Sequence, residues 1–150
     1  MRNLKFMFLF AAIVAVSVVS SCGGGDGDDP KSDKEITVEA LTGDWTLNTG
    51  SSTFGNLTDT PTATVSVSSA GINITGGTLS DYVSGVSFTV SDAGTLTGAS
   101  ATLASSEITL DGDVTASIND ALDKITVSFS TAAARTAGTG SFTLVFDKAS

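Results

Sequence analysis

The chain has no histidine and only one cysteine, Cys22, in 150 residues. Histidine is the most frequent general acid or base in enzymes and a member of the serine and cysteine catalytic triads. Histidine and cysteine are also the main protein ligands of zinc and iron. We therefore predict no metal ion, no cofactor and no enzymatic activity.

Positive charge is scarce as well. Seven basic residues face 16 acidic ones, which gives a net charge of −9. Proteins bind nucleic acid mainly through basic patches that neutralise phosphates. Nucleic acid is therefore not an expected partner.

No apolar run is long enough to anchor the chain as a helix. Arg2 and Lys5 precede an uncharged run of 14 residues from Phe6 to Val19, whereas a helix needs about 20 residues to cross a bilayer. A charged head followed by a short apolar segment is typical of a secretory signal. We therefore predict a signal peptide over residues 1–21.

The signal ends in Val19-Ser20-Ser21-Cys22. This motif resembles the lipobox of bacterial lipoproteins, in which signal peptidase II cuts before a cysteine whose sulfur carries diacylglycerol. The resemblance implies that Cys22 is the lipidated N-terminus of the mature chain and that the protein attaches to a membrane through this lipid. Loss of Arg2 and Lys5 with the signal leaves five basic and 16 acidic residues, a net charge of −11.

Residues 22–35 are expected to form a flexible acidic tether, because they contain no large apolar side chain. The acidic cluster after Cys22 resembles the surface-export signal of Bacteroidota lipoproteins. The expected location is the outer membrane, on either its periplasmic or its outer face. A calcium loop starting at Asp26 is excluded, since its sixth and twelfth positions hold Lys31 and Thr37 instead of glycine and glutamate.

From Ile36 onward, apolar residues alternate with small polar ones, as in Val86-Ser87-Phe88-Thr89-Val90. Strict alternation predicts antiparallel strands with one buried face, and Asp111-Gly112 is typical of a tight hairpin turn. Helical turns are expected only within Thr78–Ser84 and Asn119–Asp123. Eight or nine strands are predicted, near residues 42–49, 62–68, 71–75, 85–91, 94–98, 106–111, 113–118, 124–130 and 140–147.

Four segments resemble known proteins. Leu41–Leu47 is similar to the Gly-x-Trp first strand of lipocalin-like domains. Ser80–Val90 with Gly94–Thr97, then Lys124–Phe129, and then Arg135–Phe146 are similar to the middle and closing strands of small Bacteroidota lipoproteins.

The resemblance implies that residues 36–150 form one all-β domain, an antiparallel meander closed into a small lipocalin-like barrel. It also implies that Trp45 plugs the closed end and that Arg135 packs over it. A β-sandwich is the alternative, because barrels and sandwiches both bury alternate residues.

Few residues are candidates for chemistry. Asp111 and Asp113 are the nearest approach to a catalytic carboxylate pair, and their interpretation as hairpin-turn residues is favoured. A serine nucleophile paired with Lys124 is another alternative, although no serine has sequence neighbours that mark it as a nucleophile.

Aromatic residues offer the remaining binding surface. Phe88, Phe129, Phe142, Phe146 and Trp45 are expected in the core, since the phenylalanines are in phase with aliphatic neighbours. Tyr82 and Phe54 are expected in loops and are the candidate ligand contacts.

Three functions follow from these observations. The favoured one is a non-catalytic structural or accessory module of the outer membrane that contacts another envelope protein. The second is a binding module for a small apolar ligand or glycan, and the third is a carboxylate-dependent hydrolase.

Overall fold

A computed structural model of the chain describes residues 30–133 and 138–150, and Lys31–Ser150 form one compact unit. Antiparallel strands dominate this unit, which makes it an all-β domain with one α-helix and one short 3-10 helix, Thr78–Asp81. The elements are α1 (Asp33–Ala40), β1 (Trp45–Leu47), β2 (Thr53–Phe54), β3 (Thr64–Ser68), β4 (Gly71–Gly76), β5 (Val83–Val90), β6 (Leu96–Leu103), β7 (Ile108–Leu110), β8 (Thr115–Ile118), β9 (Lys124–Ala133) and β10 (Gly140–Lys148).

Backbone hydrogen bonds join the described strands into two sheets. In the first, β10 and β9 form the centre, β1 and β2 pair along the outer side of β10, and β7 and β8 pair along the outer side of β9. The second sheet has the order β3-β4-β5-β6. Strands β3 to β6 follow one another as a meander, as do β8 to β10, and backbone pairing of the described strands does not close the two sheets into a barrel.

The first and last strands pair with each other. Trp45 lies opposite Lys148, and Leu47 lies opposite Phe146. At the other edges, β6 lies beside β8 and β3 lies beside β1, without a backbone ladder in either place. These two places are the seams where the sheets meet.

The core lies between the two sheets and confirms the predicted inward faces. Phe88, Phe129, Phe142, Phe146 and Trp45 are all buried. Phe129 and Phe142 are cross-strand partners whose rings stack with their centroids 5.1 Å apart. Such a pair adds about 0.5–1.5 kcal/mol beyond its buried area.

Helix α1 is the main element that the sequence analysis did not predict. Ser32 caps it: the Ser32 hydroxyl accepts from the Glu35 backbone amide at 3.3 Å, and the Glu35 carboxylate accepts from the Ser32 amide at 2.8 Å. This reciprocal capping box satisfies two amides that would otherwise lack partners. The expected boundary between tether and domain, at Ile36, falls inside this helix.

Helix α1 is held to the sheets through few but buried contacts. The Thr37 hydroxyl is buried and donates to the Gly94 carbonyl at 3.0 Å. Leu41, directly after the helix, is fully buried. The Lys148 ammonium donates to the Ala40 carbonyl at 2.6 Å and so ties the helix end to β10.

Several predicted elements need correction. Phe54 lies in strand β2 and not in a loop, because it pairs with Phe142 of β10. The helical turn expected within Thr78–Ser84 is present as the 3-10 helix, whereas Asn119–Asp123 is a hydrogen-bonded turn. Strand β6 extends to Leu103, beyond the expected range.

We expect Gly138→Ala to lower the free energy of unfolding by roughly 1–3 kcal/mol. Gly138 has a φ of 90°, and a Cβ added there would lie 2.4 Å from Cδ1 of Tyr82. Gly112→Ala is the matched control, because Gly112 has a similar φ of 93° but nothing within 4 Å of the added carbon. Urea denaturation measures both variants; equal losses of stability would contradict the packing argument.

Candidate functional site

The two aromatic residues predicted to contact a ligand lie toward the same end of the domain, where β5 starts and where β2 and β10 meet. Both are partly buried and pack against the core. The Tyr82 ring lies over the α-carbon of Gly138, and Phe54 is in register with Phe142. Their rings therefore cover this end of the core, and both pack against other residues instead of projecting into solvent as ligand contacts.

Hydrogen bonds fasten this end of the domain. The Asn56 side-chain oxygen accepts from the backbone amides of Gly138 and Thr139, at 2.8 and 2.9 Å. Gly55 approaches the Thr139 carbonyl so closely that an added Cβ would lie 2.4 Å from its oxygen. The segment after β2 is thus clamped to the segment before β10.

Trp45 is buried at the opposite end of the domain, as predicted. Its indole nitrogen donates to the Leu41 carbonyl at 3.3 Å. Arg135, the residue expected over the ring, lies outside the described residues. The Lys148 ammonium lies 6.0 Å from the centre of the Trp45 ring, at the outer limit of a cation–π contact.

The candidate catalytic side chains are dispersed. Asp111 and Asp113 are both exposed at the turn between β7 and β8. Lys124 forms an ion pair with Asp147, with 3.7 Å between Nζ and Oδ1. Neither arrangement brings together an acid, a base and an enclosed space.

Within residues 30–133 and 138–150, no three carboxylate or thiol side chains lie close enough to share a metal ion. No helix in the same ranges is long and apolar enough to cross a membrane. Cys22 and the predicted signal peptide lie outside the described residues.

An apolar groove of about 390 Å³ runs along the seam between β6 and β8, beside helix α1. We call it the seam groove. Residues from four segments of the chain form its walls. They are Asp33, Ile36 and Thr37 of α1, residues 93–95 of the β5–β6 turn with Leu96 at the start of β6, residues 116–118 of β8, and Asn119, Asp120 and Leu122 of the β8–β9 turn.

Two features make the seam groove unusual in this domain. Ile36 is 42% exposed and is one of only two large apolar side chains in the described residues with such exposure; the other, Leu110, lies elsewhere. Leu122 has a φ of 58°, a left-handed conformation that costs a non-glycine residue roughly 1 kcal/mol or more. Asparagine or glycine is usual at such positions, so a leucine there adds an apolar wall at a cost in strain.

The turn that carries Leu122 is held rigidly. The Asn119 side-chain oxygen accepts from the backbone amides of Asp123 and Lys124 at 3.1 and 2.9 Å, and the Leu122 amide donates to the Asn119 carbonyl at 2.9 Å. These bonds stabilise the strained conformation of Leu122. The apolar wall is therefore preformed.

A second, polar cavity of about 410 Å³ lies next to this turn, among Asn119, Asp123, Lys124, Asp147 and Lys148. Asp147 accepts from the Asn48 side-chain amide at 2.6 Å, which links β10 to the end of β1. Because Asp147 is also paired with Lys124 of β9, we interpret this cluster as a link between strands.

The pKa values of two exposed carboxyl groups on α1 lie below their usual range. Hydrogen bonds from the Ser32 backbone amide and hydroxyl lower the pKa of Glu35. The hydrogen bond and charge of Lys31 lower the pKa of Glu39. Both carboxylates therefore stabilise the folded helix in their charged form.

Comparisons of the chain with protein-family models, with curated proteins and with solved structures found no match. The site must therefore be interpreted from its own geometry. The seam groove was not predicted, because its local signals in the sequence are only the apolar Ile36 after an acidic segment and the leucine within the Asn119–Asp123 turn.

We expect acid to fray helix α1. Because folding lowers the pKa of Glu35, its contribution to stability is present above the unfolded pKa and is lost as the pH falls through the lower, folded value. The ¹³Cα chemical shifts of residues 33–40 should therefore move toward coil values between pH 6 and pH 3. Glu35→Gln should remove part of this response and Asp111→Asn should leave it intact; unchanged shifts in the parent protein would contradict the prediction.

Proposed function

We propose that the protein is a lipid-anchored, non-catalytic accessory module of a bacterial outer membrane. The position of the only cysteine carries this proposal. Cys22 directly follows a signal-like segment and two small residues, and it precedes an acidic, glycine-rich stretch. Further along the chain, Lys31–Ser150 form a compact unit that needs no disulfide.

We propose further that this unit is a small lipocalin-like barrel of the kind found in Bacteroidota lipoproteins. Three features support a barrel over an open sandwich: the meander order of the strands, the pairing of β1 with β10, and the contacts between edge strands at both seams. Trp45 at one end, with a cation of the last strand near its ring, fits the lipocalin pattern, although the cation is Lys148.

An accessory role has more support than ligand binding inside the barrel. The inner face carries large side chains with at most 1% exposure, among them Phe142, Phe146, Leu144 and Ile125. Because β1 and β2 share one side of β10 and β7 and β8 share one side of β9, the ten strands occupy eight positions. An eight-stranded barrel is just wide enough to be filled by its own side chains or to hold one small ligand. With phenylalanines in this position, we favour the filled interior and a partner bound on the surface.

A hydrolase remains the weakest of the three functions. A carboxylate acts as a general acid when burial or a neighbour raises its pKa, and Asp111 and Asp113 are both exposed. A Lys124-dependent nucleophile has little support too, since Lys124 is paired with Asp147.

Cys22→Ala should abolish incorporation of labelled palmitate in the producing bacterium and should release the protein from the membrane fraction. The thioether to the glyceride forms only at a cysteine. Ser21→Ala is the control, since it keeps a small residue before the cut and should be labelled normally. Labelling that persists in Cys22→Ala would refute the anchor.

The barrel is tested by nuclear Overhauser effects between edge strands. A closed barrel places neighbouring backbones about 5 Å apart, so we expect backbone-to-backbone effects between β6 and β8 and between β1 and β3. The pair β5 and β6 provides the positive control, because these strands are already hydrogen-bonded. If only side-chain effects crossed both seams, the domain would be an open sandwich.

A further inference from the structure

We infer that the seam groove is a docking site for a basic segment of a partner protein. An apolar side chain of that segment lies in the groove, and a lysine or arginine lies against its acidic rim. The inference rests on the proposed accessory role and specifies the chemistry of the partner.

The apolar walls provide the first argument. Ile36 of α1 and Leu122 of the β8–β9 turn both line the groove, together with the partly buried Ala116 and Ile118 of β8. Because β6 and β8 are not hydrogen-bonded to each other, the groove is open along the seam. A side chain that covered Ile36 would remove from water apolar surface that the fold leaves exposed, at about 25 cal/mol per Å².

Charge decides what kind of segment fits. Asp33 and Asp120 lie at the rim, on α1 and on the β8–β9 turn, and both are exposed. Each of the four lysines in the described residues already has a partner: Lys31 pairs with Glu39, Lys34 with Asp92, Lys124 with Asp147, and Lys148 with the Ala40 carbonyl. None of these four lysines is therefore paired with a rim carboxylate, and we assign the complementing cation to the partner.

The same charges disfavour two other occupants. The segment of this chain just before the domain contains Asp26, Asp28 and Asp29 and no basic residue before Lys31, so like charges would oppose its binding in the groove. An anionic membrane surface would be repelled for the same reason. A basic protein segment that carries an apolar side chain is the occupant that matches both the apolar walls and the acidic rim.

The test uses the full mature lipoprotein in nonionic detergent and a short fluorescein-labelled peptide of alternating lysine and leucine. We expect saturable binding by fluorescence anisotropy that weakens as salt is raised. A glutamate–leucine peptide and a lysine–serine peptide should bind at least about tenfold more weakly. Equal binding of either one, or no binding of the lysine–leucine peptide, would overturn the inference.

Matched variants locate the site. Ile36→Ser should weaken binding about fivefold, whereas Leu110→Ser, the other exposed apolar residue, should not change it. Asp33→Asn with Asp120→Asn should weaken binding at low salt, and Asp111→Asn with Asp113→Asn should not. The peptide would be binding elsewhere if Leu110→Ser weakened binding as much as Ile36→Ser, or if the Asp111 and Asp113 double variant weakened it as much as the Asp33 and Asp120 double variant.

Leu122→Asn separates binding from folding. Asparagine tolerates the left-handed conformation better than leucine, so this variant should keep or gain stability and still bind the peptide more weakly. Unchanged binding in this variant would count against the groove. Loss of the docking site would leave the lipid labelling of Cys22 untouched, so failure of this inference is distinguishable from failure of the proposed anchored role.

Discussion

The pairing of β9 with β10 is the constraint on which the first sheet depends. Their register runs without interruption from Lys124 opposite Asp147 to Thr131 opposite Gly140. Every other strand of this sheet pairs only with one of the two, with β1 and β2 on β10 and β7 and β8 on β9. Within this sheet, β1 and β2 have no strand partner other than β10. This long-range pairing explains why strands of two or three residues are stable here, since they extend the long β9–β10 ribbon.

Local pattern was enough to predict the strands of this ribbon and, apart from the extent of β6, those of the second sheet. In β5, β9 and β10, valine, isoleucine and phenylalanine occupy alternate positions and therefore lie on one face of each strand. A shift of the strand pairing by one residue would move all of them from the core to solvent. Val145 interrupts the alternation and is nevertheless buried. Its carbonyl accepts from Asn48 and its amide donates to Ser52, so the β1–β2 connection lies along this part of β10. A contact between residues almost a hundred positions apart cannot be read from the neighbours of Val145.

The remaining features depend on such distant contacts or on single local motifs. Helix α1 could have been found from Ser32-x-x-Glu35, a capping-box pattern, but the absence of large apolar side chains up to Glu35 favoured the interpretation as a tether. Strand β2 is defined only by Phe142 and Thr143 of β10. The seam groove unites side chains from residue 33 to residue 122, and the left-handed conformation of Leu122 has no signal in the residue type. Tyr82 and Phe54 were expected in loops as ligand contacts, whereas Phe54 lies in β2 and both rings pack against the core, which depends on Gly138 and Phe142 far away in the sequence.

The distribution of polar groups explains why recognition is expected at a seam and not on a sheet face. On the outer faces, hydroxyl groups largely satisfy one another or the neighbouring backbone, as in the bonds from Thr89 to Thr97 and from Ser87 to Ser100. A partner would have to compete with these bonds for little gain, because the net energy of exchanging one hydrogen bond for another is small. At the groove the balance differs, since Ile36 is an exposed apolar side chain and no lysine of the described residues is paired with Asp33 or Asp120. A partner bound there would cover apolar surface without displacing such hydrogen bonds, and so we expect the groove, and not a sheet face, to be the contact surface.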